Sequence, residues 1–192
     1  MFEFLEGKFE EITPSYVVVN CSSVGYKVEI SLTTYTDLKD KSSGRLFVHQ
    51  IVREDAQLLF GFSSKKERAV FRALISVNGI GANTARMMLS SLNSDELIRA
   101  VVKEDVGAIK AVKGIGIKTA QRVIIDLKDT FSKFEVSDVG VQSNNKNKEE
   151  ALLALQTLGF NKVLIEKALD KILKEKSDYG VEELIRLALK IL

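Results

Sequence analysis

Val112-Lys113-Gly114-Ile115-Gly116-Ile117-Lys118-Thr119-Ala120 has a near-copy 35 positions earlier, Val77-Asn78-Gly79-Ile80-Gly81-Ala82-Asn83-Thr84-Ala85. Both copies read apolar-polar-Gly-Ile-Gly-x-x-Thr-Ala, and both lie between stretches of helical periodicity. The first glycine of each is expected to end a helix, because it takes a positive φ without a Cβ penalty. The isoleucine turns inward as an anchor, and the second glycine leaves room for a foreign backbone. The next helix then opens with unpaired N–H groups directed outward, where the helix dipole favours an anion. Two such corners, with no acid, base or metal ligand beside them, suggest two phosphates of a nucleic-acid backbone. The blander alternative is a pair of ordinary helix corners capped by glycine. A nucleotide-binding loop fails on spacing, since Ile117 separates Gly116 from Lys118 and the Gly-Lys-Ser/Thr ending is missing. ATP hydrolysis by this chain alone is therefore not expected.

The 192 residues are 45% hydrophobic and 28% charged, with a mean hydropathy of +0.04. This is a soluble globular profile with room for one large domain or two to three small ones. No apolar run reaches the roughly eighteen residues of a membrane span, and the acidic, alternating start Met1-Phe2-Glu3-Phe4-Leu5-Glu6 does not fit a signal peptide. A single cysteine, Cys21, reads as a reduced thiol in a strand, so a cytoplasmic chain is expected. A net charge of +2 by itself argues against a nucleic-acid binder. Its distribution argues the other way. Residues 1–63 carry 6 basic and 9 acidic side chains, 64–132 carry 12 and 7, and 133–192 carry 10 and 10. The basic excess coincides with the segment that holds both glycine corners.

Residues 1–63 alternate as five short strands, at Met1–Lys8, Tyr16–Asn20, Gly25–Leu32, Arg45–Val52 and Gln57–Phe62. A small closed barrel of the oligonucleotide-binding type fits them, with a plain hairpin sheet as the alternative. Residues 64–132 turn helical. Ser63 or Ser64 can cap the first helix, Ser94-Asp95-Glu96 starts another, Asp105 begins a short one, and Thr119–Phe131 forms the last. Met87 and Met88 read as core filling, and lone His49 reads as structural. Residues 133–147 lack a period and end in polar, turn-favouring residues, which predicts a flexible linker. Residues 148–192 hold three amphipathic helices, too small a core to favour independent folding. Such a bundle suits a docking module, with the Leu158-Gly159-Phe160 corner presenting apolar surface.

Glu54 and Asp55 fall on the tip between the last two strands. Adjacent acids on a turn are usually solvated decoration. In a DNA-binding chain they could instead repel phosphates and hold strands apart. At about 5 Å each pair is worth roughly 1 kcal/mol in water, and a few kcal/mol at a half-desolvated surface.

Each glycine corner resembles the helix-hairpin-helix motif of sequence-independent DNA-binding proteins. With all parts in order, the whole chain resembles the RuvA family, junction-recognising components of the bacterial branch-migration machinery. The residues that carry this are Val52-Arg53-Glu54-Asp55-Ala56-Gln57-Leu58-Leu59-Phe60-Gly61-Phe62, the two hairpins, and Ala154-Leu155-Gln156-Thr157-Leu158-Gly159-Phe160. The resemblance implies an α+β multidomain protein. It would have a five-stranded oligonucleotide-binding barrel over 1–63, a double helix-hairpin-helix domain over 64–132, and a linker over 133–147. A three-helix UBA-like bundle would follow over 148–192. It implies tetramers, sometimes paired into octamers, on an open Holliday junction in DNA recombination, repair and the SOS response. DNA contacts would come from Asn78, Gly79, Ile80, Gly81, Asn83 and Thr84, and from Lys113, Gly114, Ile115, Gly116, Lys118 and Thr119. Glu54 and Asp55 would form an acidic pin at the junction centre. Leu155, Leu158, Gly159 and Phe160 would dock the hexameric ATPase RuvB, with the resolvase RuvC in a larger complex. No catalytic residue, metal or cofactor is implied. Two positions depart from the family: Lys113 stands where Pro is frequent, and Asn83 where Lys is frequent, which weakens one charged phosphate contact.

Two rival classes of function remain from sequence, an enzyme (glycosylase or nuclease) and a general scaffold. A helix-hairpin-helix glycosylase needs a Lys or Asp at a base-flipping pocket, and Asp126 and Asp129 follow the second hairpin, Asp126 between Ile125 and Leu127, both read as core. A nuclease needs clustered carboxylates for Mg²⁺, for which Glu54-Asp55 is the tightest exposed candidate beside Glu149-Glu150 and Glu182-Glu183. A general DNA scaffold without junction preference is the other alternative.

Overall fold

The computed structural model describes residues 2–138, 143–175 and 179–192. They fall into two compact units, Met1–Glu135 and Val136–Leu192. In the first unit, β1 (Phe4–Ile12), β2 (Tyr16–Cys21), β3 (Val24–Ile30), β4 (Ser43–Val52) and β5 (Gln57–Phe62) close a barrel in the order β1-β2-β3-β5-β4. The closing pair β3–β5 is parallel, through Glu29↔Phe60 and Ile30↔Gly61, while the other pairs are antiparallel. Alternation sends Val17, Val19, Val28, Leu46 and Val48 into the barrel.

Between β3 and β4 the chain forms α1 (Leu32–Leu38), which the alternating pattern does not predict. Leu32, expected as the last strand residue, is the first residue of this helix. The segment Leu-Thr-Thr-Tyr-Thr-Asp-Leu is poor in strong helix formers. It is held by Ser31, whose side chain caps the Thr34 amide, and by contacts made elsewhere in the chain.

β5 explains why the barrel and the helices form one unit. Phe60 and Phe62 point out of the barrel against Phe71 of α2 (Lys65–Ser76), with ring centroids 5.2 and 4.9 Å apart. Gly61, between them, faces the interior. A Cβ there would lie 2.5 Å from Leu46 Cδ2 and 2.6 Å from Val28 Cγ1. Both neighbours are fully buried, so neither can swing away. Gly61→Val is therefore expected to overpack the barrel and cost about 1–3 kcal/mol, read as a lower urea midpoint at unchanged slope.

The remaining helices of this unit are α3 (Ala82–Ser91), α4 (Ser94–Val102), α5 (Val106–Lys110) and α6 (Ile117–Asp138). Caps set their starts. Ser64 accepts from the Glu67 amide, Asp105 from Ala108, and Asn93 forms a reciprocal capping box with Glu96. Asn93 thus caps α4, which starts at Ser94 as expected. On α6, Val123, Ile124, Leu127 and Phe131 form the buried face. Ile125, expected in the core beside Asp126, lies off that face and is 77% exposed.

Helix α6 runs six residues into the predicted linker, because Phe134 continues its apolar face by packing on Phe131 and the helical core. α7 (Ser143–Thr157) likewise begins inside the 133–147 range, and residues 139–142 of that range lie outside the described residues. In the second unit, α7, α8 (Lys162–Glu175) and α9 (Val181–Ala188) share a core of Ala151, Leu155, Ile165, Leu169, Ile172 and Leu184. α7 ends in a Schellman turn. Gly159 has φ +95°, its amide donates to Gln156 O at 2.9 Å, and the Phe160 amide donates to Leu155 O at 3.2 Å.

Candidate nucleic-acid interface

The two glycine corners fold alike, hydrogen bond for hydrogen bond. In the first, Val77 N donates to Leu74 O, Ile80 N to Val77 O, and Ala85 N to Gly81 O. In the second, Val112 N donates to Ile109 O, Ile115 N to Val112 O, and Ala120 N to Gly116 O. Gly79 (φ +95°) and Gly114 (φ +88°) are the third residues of tight turns, not helix caps as the sequence suggests. A positive φ at that position of a turn closed by its first carbonyl and fourth amide is the signature of a type II turn.

The second glycines serve a different end. Gly81 has ordinary φ −85°, Gly116 is outside the left-handed region, and a Cβ on either would meet nothing within 4 Å. Nothing inside the chain requires these glycines, and what a side chain would occupy is open space above a helix start. No side chain caps α3, and the first helical amide used within the chain is that of Ala85. The amides of Ala82, Asn83 and Thr84 are thus left for an outside acceptor, and those of Ile117, Lys118 and Thr119 stand equivalently before Ala120.

The corners also touch each other reciprocally. A Cβ on Gly114 would lie 3.9 Å from Met87 Cε, and the Arg122 guanidinium reaches Asn78 O at 3.4 Å. Met87 and Arg122 are themselves 35 residues apart, and each reaches the turn of the other corner, Met87 at Gly114 and Arg122 at Asn78. The two corners thus approximate an internal two-fold arrangement. Met87, expected as core, is exposed and crosses to the partner corner. The 35-residue shift that aligns the corners also aligns Met87 with Arg122, each the sixth residue of its helix.

Most of the expected contact residues come together on this surface. Asn78, Gly79, Gly81, Asn83, Lys113, Gly114, Gly116 and Lys118 are exposed, and Thr84 and Thr119 are half-buried. Ile80 and Ile115 turn inward, as the anchor reading expects. They are buried at 4% and 6% exposure, and their amides close the turns, so they anchor the corners from beneath. Lys113, Lys118 and Arg122 keep the surface basic. Arg86 is instead neutralised by Glu29 at 2.8 Å and tethers α3 to the barrel through Ser15 O. Lys128 pairs with Glu104.

Glu54 and Asp55 are exposed at the β4–β5 tip, whose base is closed by Arg53 N donating to Ala56 O at 2.8 Å. His49 accepts from Arg72 Nε at Nδ1, 3.3 Å away, and burial holds its pKa below the ordinary value, with help from the nearby arginines. Among the described residues, no three His, Cys, Asp or Glu side chains converge as a metal site, and no helix is long and apolar enough to cross a membrane. In the second unit, Leu158 is 62% exposed and Phe160 half-buried, but Leu155 is wholly buried. Leu155 supports the Leu158–Phe160 corner from inside and offers no contact surface.

A barrel carrying two reciprocal helix-hairpin-helix corners defines a tandem helix-hairpin-helix protein. Family comparison gives the same class: the SAM-like Helix-hairpin-helix tandem model matches residues 71–129, the RuvA N terminal domain residues 1–61, and the RuvA C-terminal domain residues 146–192. The chain belongs to the RuvA family. It is 49% identical over 191 residues to a Holliday junction branch migration complex subunit RuvA of Christiangramia forsetii, covering 99% of both chains. Proteins of the same name from Flavobacterium psychrophilum and Bacteroides fragilis are 47% and 45% identical, again with 99% of both chains covered.

Proposed function

We propose that this chain is the non-catalytic junction-binding subunit of a Holliday junction branch migration complex, holding four-way DNA open while a partner ATPase, RuvB, moves it. The observation that carries this is the pair of reciprocal hairpins, each ending in an uncapped helix start above a glycine with empty space around it. Main-chain amides bind phosphate oxygens without reading bases, so the grip suits any duplex arm. Lys113, Lys118 and Arg122 add the salt-dependent component of such a grip. Asn83 contributes its amide in place of a charge.

Preference for a crossing then needs more than one copy. Four chains around one centre would each hold an arm and bring four Glu54-Asp55 tips together where the strands exchange. Pairing of two tetramers, and RuvC beside them, belong to the same proposal. The second unit supplies the docking surface for RuvB through Leu158, Gly159 and Phe160. A cytoplasmic location fits this role.

Titrating the purified chain into a four-way junction and into a linear duplex of equal length tests it. Junction binding is expected to be tighter by at least about 10²-fold, or some 2.7 kcal/mol. Equal affinities would reduce the protein to a general scaffold, and Mg²⁺-dependent strand cleavage that follows Glu54 or Asp55 would make it a nuclease. In the same assay, Glu54→Gln with Asp55→Asn is expected to keep or tighten binding, by roughly 1 kcal/mol per relieved contact. The cost should appear as slower migration by the motor or weaker preference for the junction. Wholly unchanged migration and preference would remove the pin from the mechanism.

A further inference from the structure

The seam between the barrel and the hairpin helices is polar at a point where apolar packing would be simpler. Glu67, in the first turn of α2, is 2% exposed. Its Oε1 accepts from the Ser31 hydroxyl at 2.5 Å, and its Oε2 from the Thr34 hydroxyl at 2.7 Å and the Ser63 amide at 3.3 Å. Ser31 already accepts from the Thr34 amide, which frees its proton for Glu67, and the Ser63 hydroxyl donates to Asp37 at 2.5 Å. The donors facing this carboxylate come from α1, its cap and the β5–α2 junction. Burial pushes the Glu67 carboxyl up, against hydrogen bonds that pull it down.

A buried carboxylate is costly, and α2 does not need one to start, because Ser64 caps it. The same α1 also holds α3: Thr33 Oγ1 donates to Leu89 O at 2.6 Å, and Leu32 N donates to Ser90 Oγ at 3.0 Å. α2 and α3 are the two helices that the first hairpin joins. One short helix, inserted between strands of the barrel, therefore braces both sides of that hairpin.

We propose that Glu67, with Ser31 and Thr34, is a positioning joint that fixes the first hairpin relative to the Glu54-Asp55 tip and so turns a grip on any duplex into preference for a junction. This rests on the junction-binding function proposed above. A linear duplex needs only the two corners. A junction needs corners and tip at a set angle, because its arms leave the centre in fixed directions, and a site loosened by about 1 Å loses such selectivity.

The experiment compares junction and linear-duplex affinities of the full chain with those of Glu67→Gln and Thr34→Val, and follows thermal melting of each. Gln keeps the size but replaces one acceptor oxygen with a donor that faces groups already donating. Val removes the Thr34 hydroxyl. Both variants are expected to weaken junction binding about tenfold while duplex binding stays within about twofold. Thr34→Ser, which keeps the hydroxyl, should restore the preference. Ile98→Val, a cavity on α4 in the helical core outside both corners and the seam, should lower melting and leave the preference unchanged. An unchanged preference in both seam variants, an equal loss on both DNAs, or the same loss in Ile98→Val would overturn the joint. No junction preference in the unmodified chain would instead overturn the junction-binding function itself, and the joint with it.

Discussion

Gly81→Val and Gly116→Val in one chain are expected to lower DNA affinity by about two orders of magnitude, some 2.7 kcal/mol, while the fold persists. The structure makes this a cleaner experiment than changing Gly79 and Gly114. Those two sit at φ +95° and +88°, where any side chain adds about 1–2 kcal/mol of backbone strain, so lost binding could be lost folding. Gly81 and Gly116 carry no such strain and have open space where a Cβ would go. Valine there costs about 1 kcal/mol or less as a poorer helix cap. Its methyl groups would nevertheless stand where a phosphate must approach the amides. Electrophoretic mobility or anisotropy on duplex and junction, beside a melting curve, separates the two effects. Retained affinity in a folded double variant would mean that the corners are not the grip.

Removing the second unit, by ending the chain after Glu135, is expected to abolish stimulation of the RuvB motor and leave junction affinity within about twofold. The cut follows Phe134, which belongs to the helical core of the first unit, and it spares every hairpin residue. The second unit has its own core. Point changes sharpen the result. Leu158→Ser alters an exposed residue and should leave melting within about 0.5 kcal/mol while weakening motor coupling. Leu155→Ser would instead empty a fully buried site and unfold the bundle, at about 2–5 kcal/mol. Coupling that survives Leu158→Ser in a folded chain would move the docking surface away from this corner.

Much of the fold could be read from local chemistry. The barrel strands alternate, β4 and β5 end where their pattern ends, and Ser64 and Asp105 announce helix starts. The corners were legible because a repeat is a strong signal at short range. What escaped depends on distant partners. α1 is threonine-rich and held by Glu67, Leu89 and Ser90, which lie 33 to 58 residues further along. In sequence Glu67 is one acid in a first helical turn, and its burial follows from α1. Ile80 and Ile115 were legible as inward anchors, whereas the motif that holds Leu155 does not tell that its side chain faces the bundle core. Periodicity misjudged Ile125 for a related reason, since a run such as Val-Ile-Ile offers three apolar residues and the helix can bury two.

In the proposed grip, the crossed contacts of Met87 and Arg122 bear on movement along DNA. A double helix has its own dyad axes, at every base pair and between neighbouring pairs, that exchange its two antiparallel strands. A clamp with a matching dyad meets equivalent strands in either direction of travel, and meets them again after each single-pair advance. Such a clamp has no preferred polarity and no preferred stopping place, so directionality must be imposed by whatever drives the DNA through it.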